Sequence, residues 1–204
     1  MASKKKSSFA NMVLVLLVIT GIASTALAYV YQFTKGPIDI AKREKEKKAI
    51  EMVVPEFDII ADTMVVAISE GDSLTCFSTM KGDSVTGYAV KANTKKGFSG
   101  EFWIMVGFTP DGKIFKTSVL EHKETPGLGD KMQADKADWS LQFNALDVPH
   151  IVDNDGDGVL IEVKKDQGTI DAITAATISS RGFCDACERA YKAFLIISGN
   201  NTNH

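Results

Sequence analysis

Asp171-Ala-Ile-Thr-Ala-Ala-Thr-Ile-Ser-Ser180 brings four hydroxyls and one carboxylate into ten residues. Immediately after it, the apolar positions Phe183, Cys187, Ala190, Tyr191, Phe194 and Leu195 recur at helical spacing, with Asp185, Glu188, Arg189 and Lys192 mostly between them. A helix therefore starts near residues 177 to 181. Its first amides have no partner inside the helix, so Ser and Thr oxygens are favoured there as caps, and the same amides with the helix dipole favour a bound phosphate. Two chemistries stay open at this point: a well-capped helix, or a hydroxyl presented to a phosphoryl group.

A second candidate is His122-Lys-Glu-Thr-Pro-Gly-Leu-Gly129. Proline fixes one dihedral and two glycines let backbone approach a planar ligand, although the same composition also makes an ordinary surface turn. Lys131 nearby offers a cation to an anionic ligand. Asp153-Asn-Asp-Gly-Asp-Gly158 has the alternating carboxylates of a calcium loop, but the twelfth position holds Lys164 where a bidentate glutamate belongs, so an acidic turn is expected. Cys184 and Cys187 form C-x-x-C, and with Cys76 they are the three cysteines of the chain, too few for a four-cysteine metal or cluster site. Cys187 falls on the apolar stripe, which assigns it to packing. No metal site and no catalytic residue are expected, and a Ser-His-Asp hydrolase lacks its nucleophile elbow.

Asp171-x-x-Thr174-Ala175-Ala176-Thr177 resembles the Asp-x-x-Ser/Thr-Gly-Ala-Thr flavinylation motif of the FMN-binding subunits of Rnf-type and Nqr-type respiratory complexes. The 122 to 129 segment resembles the His-x-Glu-Thr-Pro-Gly-Leu-Gly loop of the same family, followed here by Trp139 and Phe143. With an N-terminal anchor, the resemblance covers nearly the whole chain and is stronger for the G-type subunits of Rnf ion-translocating complexes than for the C-type subunits of the Nqr sodium pump. The departure is Ala175, where the motif carries glycine; its methyl group penalises any backbone of positive φ.

That resemblance implies FMN carried covalently on Thr177 through a phosphoester, with Asp171, Thr174, Ala175 and Ala176 forming the motif around it. Glu124, Thr125, Gly127, Leu128 and Gly129 would line the ring site, and Lys131 would supply a cation. A separate flavin transferase using FAD as donor would make the bond. A flavin held at micromolar affinity is bound by about 8 kcal/mol and still dissociates, whereas an ester-linked one stays. The implied role is electron relay inside a complex that couples ferredoxin and NAD to sodium or proton transport, with the other membrane and redox subunits as partners. A flavin-free anchored binding module is the contrasting class.

The elements that would position these residues follow from periodicity. Phe57 to His122 holds short β-rich runs, Ile59 to Ile68, Leu74 to Thr79, Val85 to Lys91, Phe98 to Phe108 and Ile114 to Leu120, separated by turn signals such as Lys81-Gly-Asp83 and Pro110-Asp-Gly112. A short helix around Gln133 to Phe143 and a strand near Leu160 to Val163 would follow. Strands first and helices later indicate an α+β fold, an antiparallel β-rich domain with flanking helices.

Phe9 to Tyr31 is a 23-residue run without a charge. As a helix it would span roughly 35 Å, enough for a bilayer core, which predicts one N-terminal transmembrane helix. Lys4-Lys-Lys6 and Ala26-Leu-Ala28 also suit a signal peptide, but the apolar run exceeds what that requires. The expected organisation is a basic tail over 1–8, the anchor over 9–31, a solvated charged helical linker over 32–54 set off by Pro37, the FMN-binding domain over 55–197 and a frayed polar tail over 198–204. From Ala49 on there are 14 basic and 23 acidic residues, a formal net charge of −9, which repels nucleic acid. Three lysines precede the anchor and six basic residues follow it by Lys48, which by raw count places the domain in the cytoplasm. The resemblance implies the opposite, a flavin domain on the outer face of the cell inner membrane.

Overall fold

A computed structural model describes residues 9–148 and 161–201. The elements are α1 (Phe9–Val53), β1 (Ile59–Ser69), β2 (Asp72–Lys81), β3 (Ser84–Gly97), β4 (Gly100–Phe108), β5 (Ile114–Glu121) and α2 (Thr177–Asn201), with 3-10 turns at Gly129–Met132, Asp138–Phe143 and Lys164–Asp166. They fall into two compact units, divided between Glu44 and Lys45. The basic tail, the 153–158 acidic loop and residues 202–204 lie outside the described residues.

In the first unit α1 leaves its apolar residues exposed and is long and apolar enough to cross a membrane. Its threonine hydroxyls are satisfied within the helix: Thr20, Thr25 and Thr34 donate to the carbonyls of Leu16, Gly21 and Val30 at 2.9, 2.8 and 3.0 Å, one turn back. Pro37 does not set the anchor off from the charged segment, because it lies inside the helix. Proline removes one amide donor and frees the carbonyl four residues earlier, Phe33. Every residue around it is exposed, and the charged residues that follow are spaced i to i+4 in sequence, a spacing that favours a helix.

The second unit is built on a five-stranded antiparallel meander in the order β1-β2-β3-β4-β5. The strands occupy the five expected runs, with β3 reaching Gly97 and Phe98 falling in the turn to β4. Period-2 alternation divides their side chains between two faces. Tyr88, Val90 and Ala92 of β3 and Phe102, Ile104, Val106 and Phe108 of β4 pack with Phe183, Cys187, Ala190, Tyr191 and Phe194 of α2. The Phe108 and Phe194 rings stack at 4.9 Å between centroids. On the other face, Phe77, Ala89 and Met105 meet Ala49, Ile50 and Val53 from the end of α1. Gly107 permits that contact, because a Cβ there would lie 1.6 Å from the Val53 carbonyl oxygen. Lys91 pairs with Glu46 at 2.9 Å, and the Lys45 ammonium donates to the Leu120 carbonyl.

Five further expectations are corrected. The linker is not solvated throughout, since its last turns are buried against the sheet. Of the helix placed at Gln133 to Phe143 only the 3-10 segment Asp138–Phe143 forms, because from Gln133 to Asp138 no side chain is buried to start an apolar stripe. Of the strand near Leu160 to Val163, the described part forms a single parallel bridge, Val163 to Ile170. The C-terminal tail is helical as far as Asn201, and Leu195, assigned to the apolar stripe, is half exposed.

Candidate functional site

Helix α2 begins at Thr177 itself. Just before it the chain reverses at Ala175, whose φ of +63° is left-handed. Glycine enters that region freely and alanine pays for its Cβ, so the residue at which the sequence departs from the motif is also a point of backbone strain. The reversal buries Ala176 and leaves Thr177 partly exposed. The Ala176 amide donates to the Ile173 carbonyl at 3.0 Å.

The four hydroxyls of this segment then separate by role. Ser180 is buried; its Oγ accepts from the Ile173 amide at 2.9 Å and donates to the Ala176 carbonyl at 3.0 Å. Ser179 is buried and donates to Glu124 Oε2 at 2.7 Å. Thr174 is exposed. Thr177 remains, and its Oγ1 accepts from the Lys165 ammonium at 3.4 Å. Ala176 has no side chain to cap the helix, and among the described residues no side chain accepts from the amides of Thr177, Ile178 or Ser179. Those donors face outward from the helix start.

A cavity of about 320 Å³ opens here. Ala175, Ala176 and Thr177 form one wall; Glu124, Thr125, Leu128 and Gly129 form the other. The two motifs, nearly fifty residues apart, therefore meet at one concavity, joined by the Ser179 to Glu124 hydrogen bond. Glu124 is 5% exposed and also accepts from the Ser99 amide at 3.2 Å. Its own amide donates to His122 Nδ1 at 3.1 Å, and the far edge of that ring lies 2.6 Å from the Gln133 side-chain amide. Gly129 is required where it stands, since a Cβ would come within 2.7 Å of both Glu124 Oε2 and Ser179 Oγ.

Other candidates stand around the cavity and do not line it. Asp171 pairs with Lys164 at 2.8 Å, and its backbone is held by Gln142, which accepts from its amide at 2.8 Å, and by the Trp139 indole donating to its carbonyl. Gly127 sits at φ +77° in the exposed part of the loop. Lys131 is exposed, and Thr174 lies outside the wall. Sequence reasoning missed Phe98, Ile178 and Ser179, which complete the lining. Phe98 is 66% exposed and Ile178 48%, beside Leu128 at 39%. Large apolar side chains left open around a concavity with few polar groups suit a flat, largely apolar ligand, and the free helix amides beside Thr177 suit its phosphate. The residues present thus fit FMN.

Two turns along α2 the chemistry closes. Cys184 and Cys187 are free and buried, as is Cys76 on β2. Burial pushes the Cys76 and Cys184 thiols up to about 12, and Cys187 well above its ordinary value. They are packing residues with no thiolate to offer. Among the described residues no group of His, Cys, Asp and Glu is placed to hold a metal.

A family model described as an FMN-binding domain matches residues 97–192, which include both motifs. The G subunit of an ion-translocating oxidoreductase complex from Shewanella piezotolerans is 31% identical over 91% of this chain and 89% of its own length. The chain belongs to the family of G subunits of ion-translocating oxidoreductase complexes. A relative of the same name from Pasteurella multocida is 32% identical over 89% of this chain and 91% of its own, and one from Vibrio vulnificus is 28% identical over 83% and 82%. These similarities favour the G-type branch over the Nqr-type alternative.

Proposed function

We propose that this protein is the membrane-anchored flavoprotein subunit of an ion-translocating oxidoreductase complex of the Rnf type, carrying FMN covalently on Thr177 and passing electrons between neighbouring redox subunits. The observation that carries the reading is the single cavity whose walls are the Thr177 segment and the Glu124 to Gly129 loop. FMN bound there would accept and release electrons, the redox chemistry being its own. The chain's contribution is position. Phe98, Leu128 and Ile178 offer apolar surface to a ring, Glu124 is locked by Ser179 and Ser99, and the first amides of α2 face a phosphoryl group on Thr177. Maturation would be the work of a separate flavin transferase, and the complex would couple ferredoxin and NAD to sodium or proton movement.

The anchor over 9–31, the helical linker over 32–54 and the domain over 55–197 belong to this reading, as does an extracytoplasmic flavin domain at the cell inner membrane. The flanking charges oppose that orientation less than a raw count suggests. Lys45, Lys47 and Lys48 are part of the second compact unit, and long domains are translocated largely regardless of charge. Near the anchor that leaves Lys35, Lys42 and Arg43 against Lys4, Lys5 and Lys6, an even balance.

The test is expression of the full chain with a flavin transferase, followed by denaturing electrophoresis under ultraviolet light. A fluorescent band in the wild type and none in Thr177→Ala is the expected result. No band in the wild type would overturn covalent FMN, and a band that survives Thr177→Ala would move the attachment elsewhere.

A further inference from the structure

Lys165 lies in the 3-10 turn Lys164–Asp166, outside both sequence motifs. Its turn is fixed from two sides. Asp166 takes a bidentate pair from Arg181 on the first turns of α2, with both contacts at 2.6 Å, and Lys164 reaches Asp171 at 2.8 Å. Backbone bonds tighten the loop: the Lys164 amide donates to the Ile170 carbonyl at 2.7 Å, and the Ile170 amide to the Glu162 carbonyl at 3.0 Å. Gly168 is packed so closely that a Cβ would fall 2.1 Å from the Glu162 carbonyl oxygen. Between two anchored neighbours, the exposed Lys165 side chain reaches Thr177 Oγ1 at 3.4 Å.

We infer that Lys165 is the cation that receives the phosphoryl group at Thr177, drawing the donor's phosphate to the hydroxyl and then holding the finished phosphodiester. The inference rests on the flavin reading above and assigns a residue which that reading does not need. The reaction is a phosphoryl transfer from FAD. The bond from Thr177 Oγ1 to the flavin-side phosphorus forms, the bond from that phosphorus to the bridging oxygen of the pyrophosphate breaks, AMP leaves, and the hydroxyl proton passes to a base of the transferase. No oxidant or reductant is consumed. Charge builds on the phosphoryl oxygens in an acidic domain, where a lysine beside the acceptor oxygen offsets repulsion and the α2 amides supply the remaining donors. Neither Lys131, the cation expected from sequence, nor Lys165 lines the cavity wall; Lys165 is distinguished by its reach to Thr177 Oγ1.

The test compares the wild type with Lys165→Ala, Lys165→Glu and Lys165→Arg in the full chain, with a flavin transferase and FAD. Initial rates of fluorescent labelling are read together with the phosphorus-31 chemical shift of the attached phosphodiester. Lys165→Ala is expected to label about threefold to tenfold more slowly, Lys165→Glu more slowly still, and Lys165→Arg near the wild-type rate. The phosphorus resonance is expected to move in Lys165→Ala and to stay near its wild-type position in Lys165→Arg. Unchanged melting temperatures before labelling keep a folding defect from mimicking the result. If the wild type labels at Thr177 while Lys165→Ala labels at the same rate with the same phosphorus shift, the assignment of Lys165 is overturned and the flavin reading stands. If the wild type does not label at all, the flavin reading itself has failed.

Discussion

The first turn of α2 and the cysteine pair two turns further along the same helix both carry side chains capable of nucleophilic chemistry, and the fold treats them in opposite ways. At the first turn a hydroxyl is left partly open beside a cavity, next to a lysine and above unpaired amides. At Cys184 and Cys187 the intrinsically better nucleophiles are buried against the sheet, where they cannot ionise at neutral pH. Reactivity on this helix therefore follows exposure and electrostatic surroundings more than the identity of the side chain.

The largest effect that could break this contrast is thiol reactivity. With a thiol pushed up to about 12, the thiolate fraction at pH 8 is roughly a thousandfold or more below that of an unperturbed cysteine. Alkylation of the native protein by iodoacetamide at pH 8 is expected to be slower than that of the urea-unfolded chain by about a hundredfold at Cys76 and Cys184, and strongly slowed at Cys187. A native rate within about tenfold of the unfolded one at Cys184 or Cys187 would mean that the helix face is not sealed.

How much of this is legible in the sequence differs between the same two regions. One apolar stripe assigns the cysteines to packing, because a period of 3.6 places Cys187 among Phe183, Ala190 and Phe194. The five strands are equally plain, since alternation and turn residues are local signals. The two motifs are visible as strings, but the fact that they face one cavity depends on β5 delivering the Glu124 loop to the start of α2, a contact across 55 residues in sequence. Phe98 and Lys165 leave no local trace. By pattern Phe98 reads as the end of a strand, and it becomes a cavity residue because the turn at Gly97 projects it. Lys165 comes to Thr177 because the Asp166 to Arg181 and Lys164 to Asp171 pairs fix its turn beside α2.

A smaller effect concerns the strain at Ala175. At φ +63° alanine carries a cost of about 1 kcal/mol that glycine avoids, part of which is offset by the greater freedom of glycine in the unfolded chain. Ala175→Gly is expected to raise the melting temperature of the detergent-solubilised chain by about 2 °C. The same substitution at Ala186, buried mid-helix on the sealed part of α2, is expected to lower it by at least as much. Loss of stability in both variants would show that the turn before Thr177 is relaxed with alanine, and the reversal would then need another cause.

The smallest effect is the pH dependence of the turn that carries Lys165. The Arg181 guanidinium hydrogen-bonded to Asp166 holds its carboxyl below the ordinary value of 3.8. A carboxylate depressed in the folded state contributes stability that is present above the unfolded value and lost as pH falls through the folded one. The contribution is therefore complete at neutral pH and disappears below about pH 4. Because the pair is exposed, its effect on global melting is small, and the local readout is more telling. Flavinylation measured at pH 7 is expected to be slower in Asp166→Asn than in the wild type, by less than in Lys165→Ala, since the turn is loosened while its cation is kept. Melting curves of wild type and Asp166→Asn are expected to converge as the buffer is taken from pH 6 to below pH 4. A gap that stays constant through that range would mean that asparagine changes the turn through its own contacts, and that the ion pair is not what holds Lys165 over Thr177.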